Sequence, residues 1–109
     1  MNAETTLIDA VVEKGRQLGL HWKCMKPRTR AAGARLGTAL RLRTGKQDIV
    51  YAVEIKQGLR PSTLGAVIYQ LGMLDRPALL VADYISPPLA DELRARNIEF
   101  ADAAGNAYL

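Results

Sequence analysis

Apolar residues recur at helical spacing at Leu7, Ile8, Val11, Val12 and Leu18, and Gly19 supplies a C-terminal stop. The pattern predicts an amphipathic helix over residues 3–18. The period then changes to two. Leu20, Trp22 and Cys24 alternate with His21, Lys23 and Met25, a short strand that is expected to carry Trp22 and Cys24 into the core. A basic connection, KPRTRAAGAR, leads to a second alternating stretch, with Leu36, Thr38, Leu40 and Leu42 on one side and Gly37, Ala39, Arg41 and Arg43 on the other. Thr44–Gly45–Lys46–Gln47 reads as a hairpin turn and DIVYAVEIKQ as the third strand. After QGLRP, Pro61 suits the first turn of a helix whose buried stripe is Leu64, Val67, Ile68 and Leu71. ALLVADYI is a near-continuous apolar run, as in a strand covered on both faces. Ser86 and Pro87 open a third helix with Leu89 and Leu93 inward, and Asn97 closes it before the strand IEFAD and the turn AAGN.

The predicted order is α-β-β-β-α-β-α-β, without repeats or an internal linker. A helix, a three-strand meander and a crossover helix leading to a buried strand make the core order of the restriction-endonuclease-like fold, an α/β sandwich on a mixed sheet. One domain over residues 1–109 is expected. Half the residues are hydrophobic and a quarter charged, which argues against disorder. No apolar run approaches the roughly 20 residues of a membrane span. The N-terminal stretch lacks the pattern of a secretory signal, and one cysteine makes no internal disulfide, so a cytoplasmic protein without a membrane partner is expected.

Charge changes the picture more than composition does. Residues 14–60 hold twelve of the fifteen basic side chains and only two acids, a stretch of +10 against −6 for the remainder. Such asymmetry points to a polyanionic partner, and DNA is the expected one. Lys26, Arg28, Arg30, Arg35, Arg41, Arg43, Lys56 and Arg60 are the candidate phosphate contacts.

Tyr51 to Gly58, YAVEIKQG, carries the candidate chemistry. Alternation puts Glu54 and Lys56 on one face, one pleat apart, and Glu-x-Lys at a strand end is half of a PD-(D/E)xK nuclease site. In such nucleases an aspartate and this glutamate jointly hold Mg²⁺, while the lysine positions the attacking water. The aspartate is expected on the preceding strand, near Leu36 to Thr38, yet no Asp or Glu occurs from Lys14 to Gln47. Asp83, at the end of the adjacent strand, is the best substitute. No cofactor is expected unless Asp83 completes the site, in which case Glu54 and Asp83 would hold Mg²⁺ with Lys56 beside them. Lys56 and Arg60 also flank a Gly-containing loop before a helix, where free backbone N–H groups would suit a phosphate. Gln70 falls on the flank of that helix and reads as a surface residue.

The C-terminal third, LLVADYISPPLADELRARNIEFADAAGNAYL, resembles the AbiEi-type antitoxin family of type IV toxin–antitoxin systems. The apolar strand ending in Asp83, the helix from Pro87 to Arg96, and above all Asp102-x-x-Gly105-Asn106-x-Tyr108-Leu109 carry the resemblance, which with AVEIKQG spans most of the chain from about residue 36. It implies a bacterial transcriptional regulator with a restriction-endonuclease-like domain. Members are typically longer and carry a winged-helix segment, so this chain looks like one domain of a larger regulator. The leading expectation is a nucleic-acid-associated domain with an incomplete metal site. A Mg²⁺-dependent DNA endonuclease is the second. A module that binds a cognate toxin or forms a homodimer is the third.

Overall fold

The computed structural model describes residues 3–25, 39–75 and 77–109. Helix α1 (Ala3–Gln17) buries Leu7, Ile8 and Val11 and ends where Gly19 takes a φ of 82°. Leu18 and Leu20 both donate their N–H to the carbonyl of Gly15 there. Leu18, expected in the buried stripe, is instead 59% exposed, because it lies past the last helical turn. Gly15 lets α1 lie close on the sheet: a Cβ there would stand 2.4 Å from the Trp22 ring.

Strands β1 (His21–Met25), β2 (Ala39–Arg43) and β3 (Asp48–Lys56) form an antiparallel meander. Thr44 Oγ1 accepts from the N–H groups of Lys46 and Gln47, fixing the turn between β2 and β3. A single 3₁₀ turn (Pro61–Thr63) precedes α2 (Leu64–Gly72), which crosses to β4 (Ala78–Ala82). Helix α3 (Pro87–Ala95) crosses again to β5 (Phe100–Asp102), and the two-residue β6 (Ala107–Tyr108) closes the edge. Pro87 stands in the first turn of α3 after an extended Ser86, and Asn97 closes that helix at a φ of 57°.

The six strands lie in the order β1-β2-β3-β4-β5-β6, with β3, β4 and β5 parallel and the remaining pairs antiparallel. The mixed α/β architecture is therefore as expected, while the 3₁₀ turn and β6 are additions. Two successive crossovers in one direction place α2 and α3 on the same face, since both connections share a hand. The alternation of each strand then divides the core in two. Trp22, Leu40, Leu42, Tyr51, Val53, Leu79 and Val81 pack under α1. Leu80, Ala82 and Phe100 pack under α2 and α3 with Leu64, Val67, Leu89 and Leu93. Cys24 shares the face of Trp22 but is exposed, correcting its expected burial. It lies toward the end of the edge strand, and the core beneath α1 takes in Trp22 without it.

The distinctive D-x-x-G-N tail has a structural role. The buried carboxylate of Asp102 accepts from Ala104 N at 3.0 Å and Asn106 N at 2.8 Å through one oxygen. Its other oxygen accepts from Ile85 N and Asn106 Nδ2, each at 2.8 Å. Gly105, at a φ of 100°, supplies the left-handed step of this turn. One aspartate thus ties the β5–β6 turn to the loop between β4 and α3.

Candidate nucleic-acid interface

Helices α2 and α3 cover β4, β5 and the C-terminal end of β3, but not the same face of β1, β2 and the start of β3. On that open area the register sets Lys23 opposite Arg41 and His21 opposite Arg43. Arg41 in turn faces Val50, and Arg43 faces Asp48. Val50 is 47% exposed, consistent with a sheet surface on which no described element packs. Three cations and one histidine therefore stand on adjacent strands about 5 Å apart with a single acid among them.

That acid is firmly engaged. Arg41 donates Nε and Nη2 to the two carboxylate oxygens of Asp48 at 2.7 and 2.6 Å, a bidentate fork, while Arg43 Nε lies 3.6 Å away. The hydrogen bond from Arg41, reinforced by the charges of Arg41 and Arg43, holds the Asp48 carboxyl below its ordinary range. The same bond raises the Arg41 guanidinium. Asp48 thus aligns two arginines and competes with any external anion for them. It is not a metal ligand for Glu54, from which it is separated along β3 by roughly 20 Å at ~3.3 Å per residue.

At the other end of β3 the chemistry differs. Glu54 is buried beside Leu80, and Lys56 lies beside Ala82 under the same helical layer. Lys56 Nζ stands 3.5 Å from Glu54 Oε1, so the Glu-x-Lys pair forms an ion pair, with the lysine partly open to solvent. Asp83 is placed next to this strand end: its Oδ1 accepts from Gly58 N at 3.1 Å and from Tyr84 N at 2.9 Å. The loop N–H of Gly58, expected to await a phosphate, is therefore bonded to Asp83. Thr63 Oγ1 likewise holds both backbone groups of Arg60, and the 3₁₀ turn separates Arg60 from the start of α2.

Asp83 stands three register positions beyond Glu54, roughly 10 Å along the strands, and is engaged with two amides. That is not the arrangement of two acids facing each other across a shared ion. Among the described residues no three of His, Cys, Asp and Glu come together as ligands. The ladder between β2 and β3 is described as far as Ala39 opposite Ala52, so the position facing Glu54 lies outside the described residues.

Of the sequence-predicted phosphate contacts, Arg41 and Arg43 share the open sheet face, and Lys56 and Arg60 belong to the β3–α2 end. Lys26, Arg28, Arg30 and Arg35 lie outside the described residues, in the segment joining β1 to β2. Lys23 and His21 were not among the predicted contacts, although their alternation with Trp22 already placed them on the polar side of β1. Gln70, expected at the surface, has a buried Oε1 without a hydrogen-bond partner. Among the described residues no helix is long and apolar enough to cross a membrane. Compared against protein-family models, curated proteins and solved structures, the chain matches none.

Proposed function

We propose that this chain is a nucleic-acid-associated domain of an antitoxin or transcriptional regulator, built on a restriction-endonuclease-like fold whose metal site is incomplete. One observation carries the reading: the open face of β1, β2 and β3, where Lys23, Arg41 and Arg43 stand in cross-strand register with His21. A row of cations on one sheet face suits a phosphate backbone, giving affinity without base selection. The sequence joining β1 to β2 adds Lys26, Arg28, Arg30 and Arg35 and no acid to the basic stretch of the chain.

The test is a salt titration. A short DNA duplex of arbitrary sequence should bind the full chain, with log K falling linearly against log salt. Replacing Lys23, Arg41 and Arg43 together by glutamine should flatten that slope by about 2, near 0.9 for each phosphate no longer neutralised, since Asp48 offsets one of the three charges. Absence of binding at low salt, or an unchanged slope, would contradict the proposal.

A Mg²⁺-dependent endonuclease is the second reading, favoured by the position of Asp83 at the end of the strand next to the one that carries the Glu54–Lys56 pair. In it Glu54 and a reoriented Asp83 would be the acids and Lys56 the cation beside them. Metal-dependent cleavage abolished by both Glu54→Ala and Asp83→Ala would establish it.

A further inference from the structure

Helix α2 has no charged residue, and its outward side is as apolar as its inward one. Leu64, Val67 and Leu71 are buried, whereas Gly65, Ala66, Tyr69, Gly72 and Met73 face solvent. Tyr69 is 72% and Met73 68% exposed, although they stand one turn apart on the same stripe. A helix apolar all round is ordinarily covered all round. The two glycines sharpen the point. Neither has a positive φ, and beyond the adjoining residues and the helix's own backbone nothing lies within 4 Å of the Cβ that each lacks. Glycine lowers helix stability, and here no neighbour within the chain requires it.

The order of sizes along the stripe is the key. Small residues, Gly65 and Ala66, occupy its N-terminal half, and Met73 its C-terminal half, with Tyr69 at the centre. When two such helices meet antiparallel about a two-fold axis at Tyr69, Gly65 falls opposite Met73 of the other copy and Ala66 opposite Gly72. Each Met73 then meets the gap left by Gly65, and the two Tyr69 rings meet at the axis, the self-complementarity that an isologous interface requires. Antiparallel helix dipoles favour the same orientation. The absence of charge removes like-charge repulsion between the copies and gives nucleic acid nothing to hold.

We infer that the chain forms a homodimer through the outer face of α2, with the Tyr69 side chains at the two-fold axis and each Met73 seated over Gly65 of its partner. Nine residues span about 14 Å, at ~1.5 Å per residue. The interface is therefore below the ~800 Å² per partner of a standard one, and the dimer is a weak one.

Sedimentation of the full chain from low micromolar to millimolar concentration tests this. A monomer–dimer equilibrium is expected, with Gly65→Leu and Tyr69→Glu each shifting it to monomer. Because the Gly65 Cβ meets open space within the chain, Gly65→Leu should at the same time raise the Tm of the monomer by a few degrees. That combination separates a blocked interface from a failure to fold. A second variant, Tyr69→Cys in a Cys24→Ser background, should form a disulfide-linked dimer on mild oxidation. A chain that stays monomeric throughout, or a dimer indifferent to both substitutions, would overturn the inference.

Discussion

Among the described residues Asp48 is the single acid on the open sheet face, and replacing it isolates the electrostatics proposed for that surface. In the Asp48→Asn chain the fork from Arg41 and the nearby Arg43 lose their anionic partner. Lys23, Arg41 and Arg43 then offer one more unit of positive charge to a ligand. If that unit engages one further phosphate, the salt slope steepens by ~0.9. The added factor in K is then about 8 at 0.1 M monovalent salt and about 4 at 0.2 M. The assay is fluorescence anisotropy of a labelled duplex against wild type and variant over that salt range. Thermal stability should fall only slightly, because the pair is solvent-exposed. An unchanged slope would mean that Arg41 and Arg43 do not meet phosphate. Weaker binding would mean that Asp48 serves by aligning the arginines rather than by competing for them.

Three further outcomes are expected. Asp102→Ala strands the N–H of buried Ile85, whereas the N–H groups of exposed Ala104 and Asn106 turn to water, so at about 1–3 kcal/mol per unsatisfied buried group the loss should be about 1–3 kcal/mol in urea unfolding. Burial, with the hydrogen bond donated by Tyr51 to Glu99 at 3.0 Å, raises the Tyr51 phenol. Its share of stability is therefore intact below the ordinary tyrosine pKa of ~10 and declines as pH rises beyond it, measurable as Tm against pH with Tyr51→Phe as control. The wild-type chain should leave plasmid and single strands uncut in Mg²⁺ or Mn²⁺, and Glu54→Ala should leave duplex binding intact; gel assays of both check this.

The elements were legible wherever a periodic stripe was long enough to define a face. The α1 stripe and the alternation of β2 and β3 each announced which side would be buried, and the apolar run Ala78–Ala82 announced a central strand. What the pattern could not carry was the lateral extent of each covering helix. Cys24 and Trp22 share a face, yet only Trp22 lies in the core beneath α1. Glu54 and Asp48 share the other face, yet only Glu54 lies beneath the helical layer. Coverage depends on crossover geometry, which no single strand encodes. Leu18 failed for a local reason, since one residue past the helix end its side chain leaves the stripe. The two residues of β6 are too few to show a period at all.

The candidate site was legible in part for the same reasons. Glu-x-Lys and the neighbouring strand end of Asp83 follow from alternation and parallel register, and they do lie at one end of the sheet. The bond from Gly58 N to Asp83 and the fork between Arg41 and Asp48 depend on loop path and side-chain reach. The basic row across β1 and β2 was latent in the alternation of both strands and needed only their register, with Lys23 opposite Arg41, to appear.

The most direct test of that row as the nucleic-acid interface is a map of amide chemical-shift changes on titrating the ¹⁵N-labelled chain with a short duplex at low salt. Changes should concentrate at His21, Lys23, Arg41, Arg43 and Val50, leaving α1 and the buried strand β4 undisturbed, and should vanish as salt is raised. Changes centred on α3 or α1 instead, or none at all, would contradict the proposed interface.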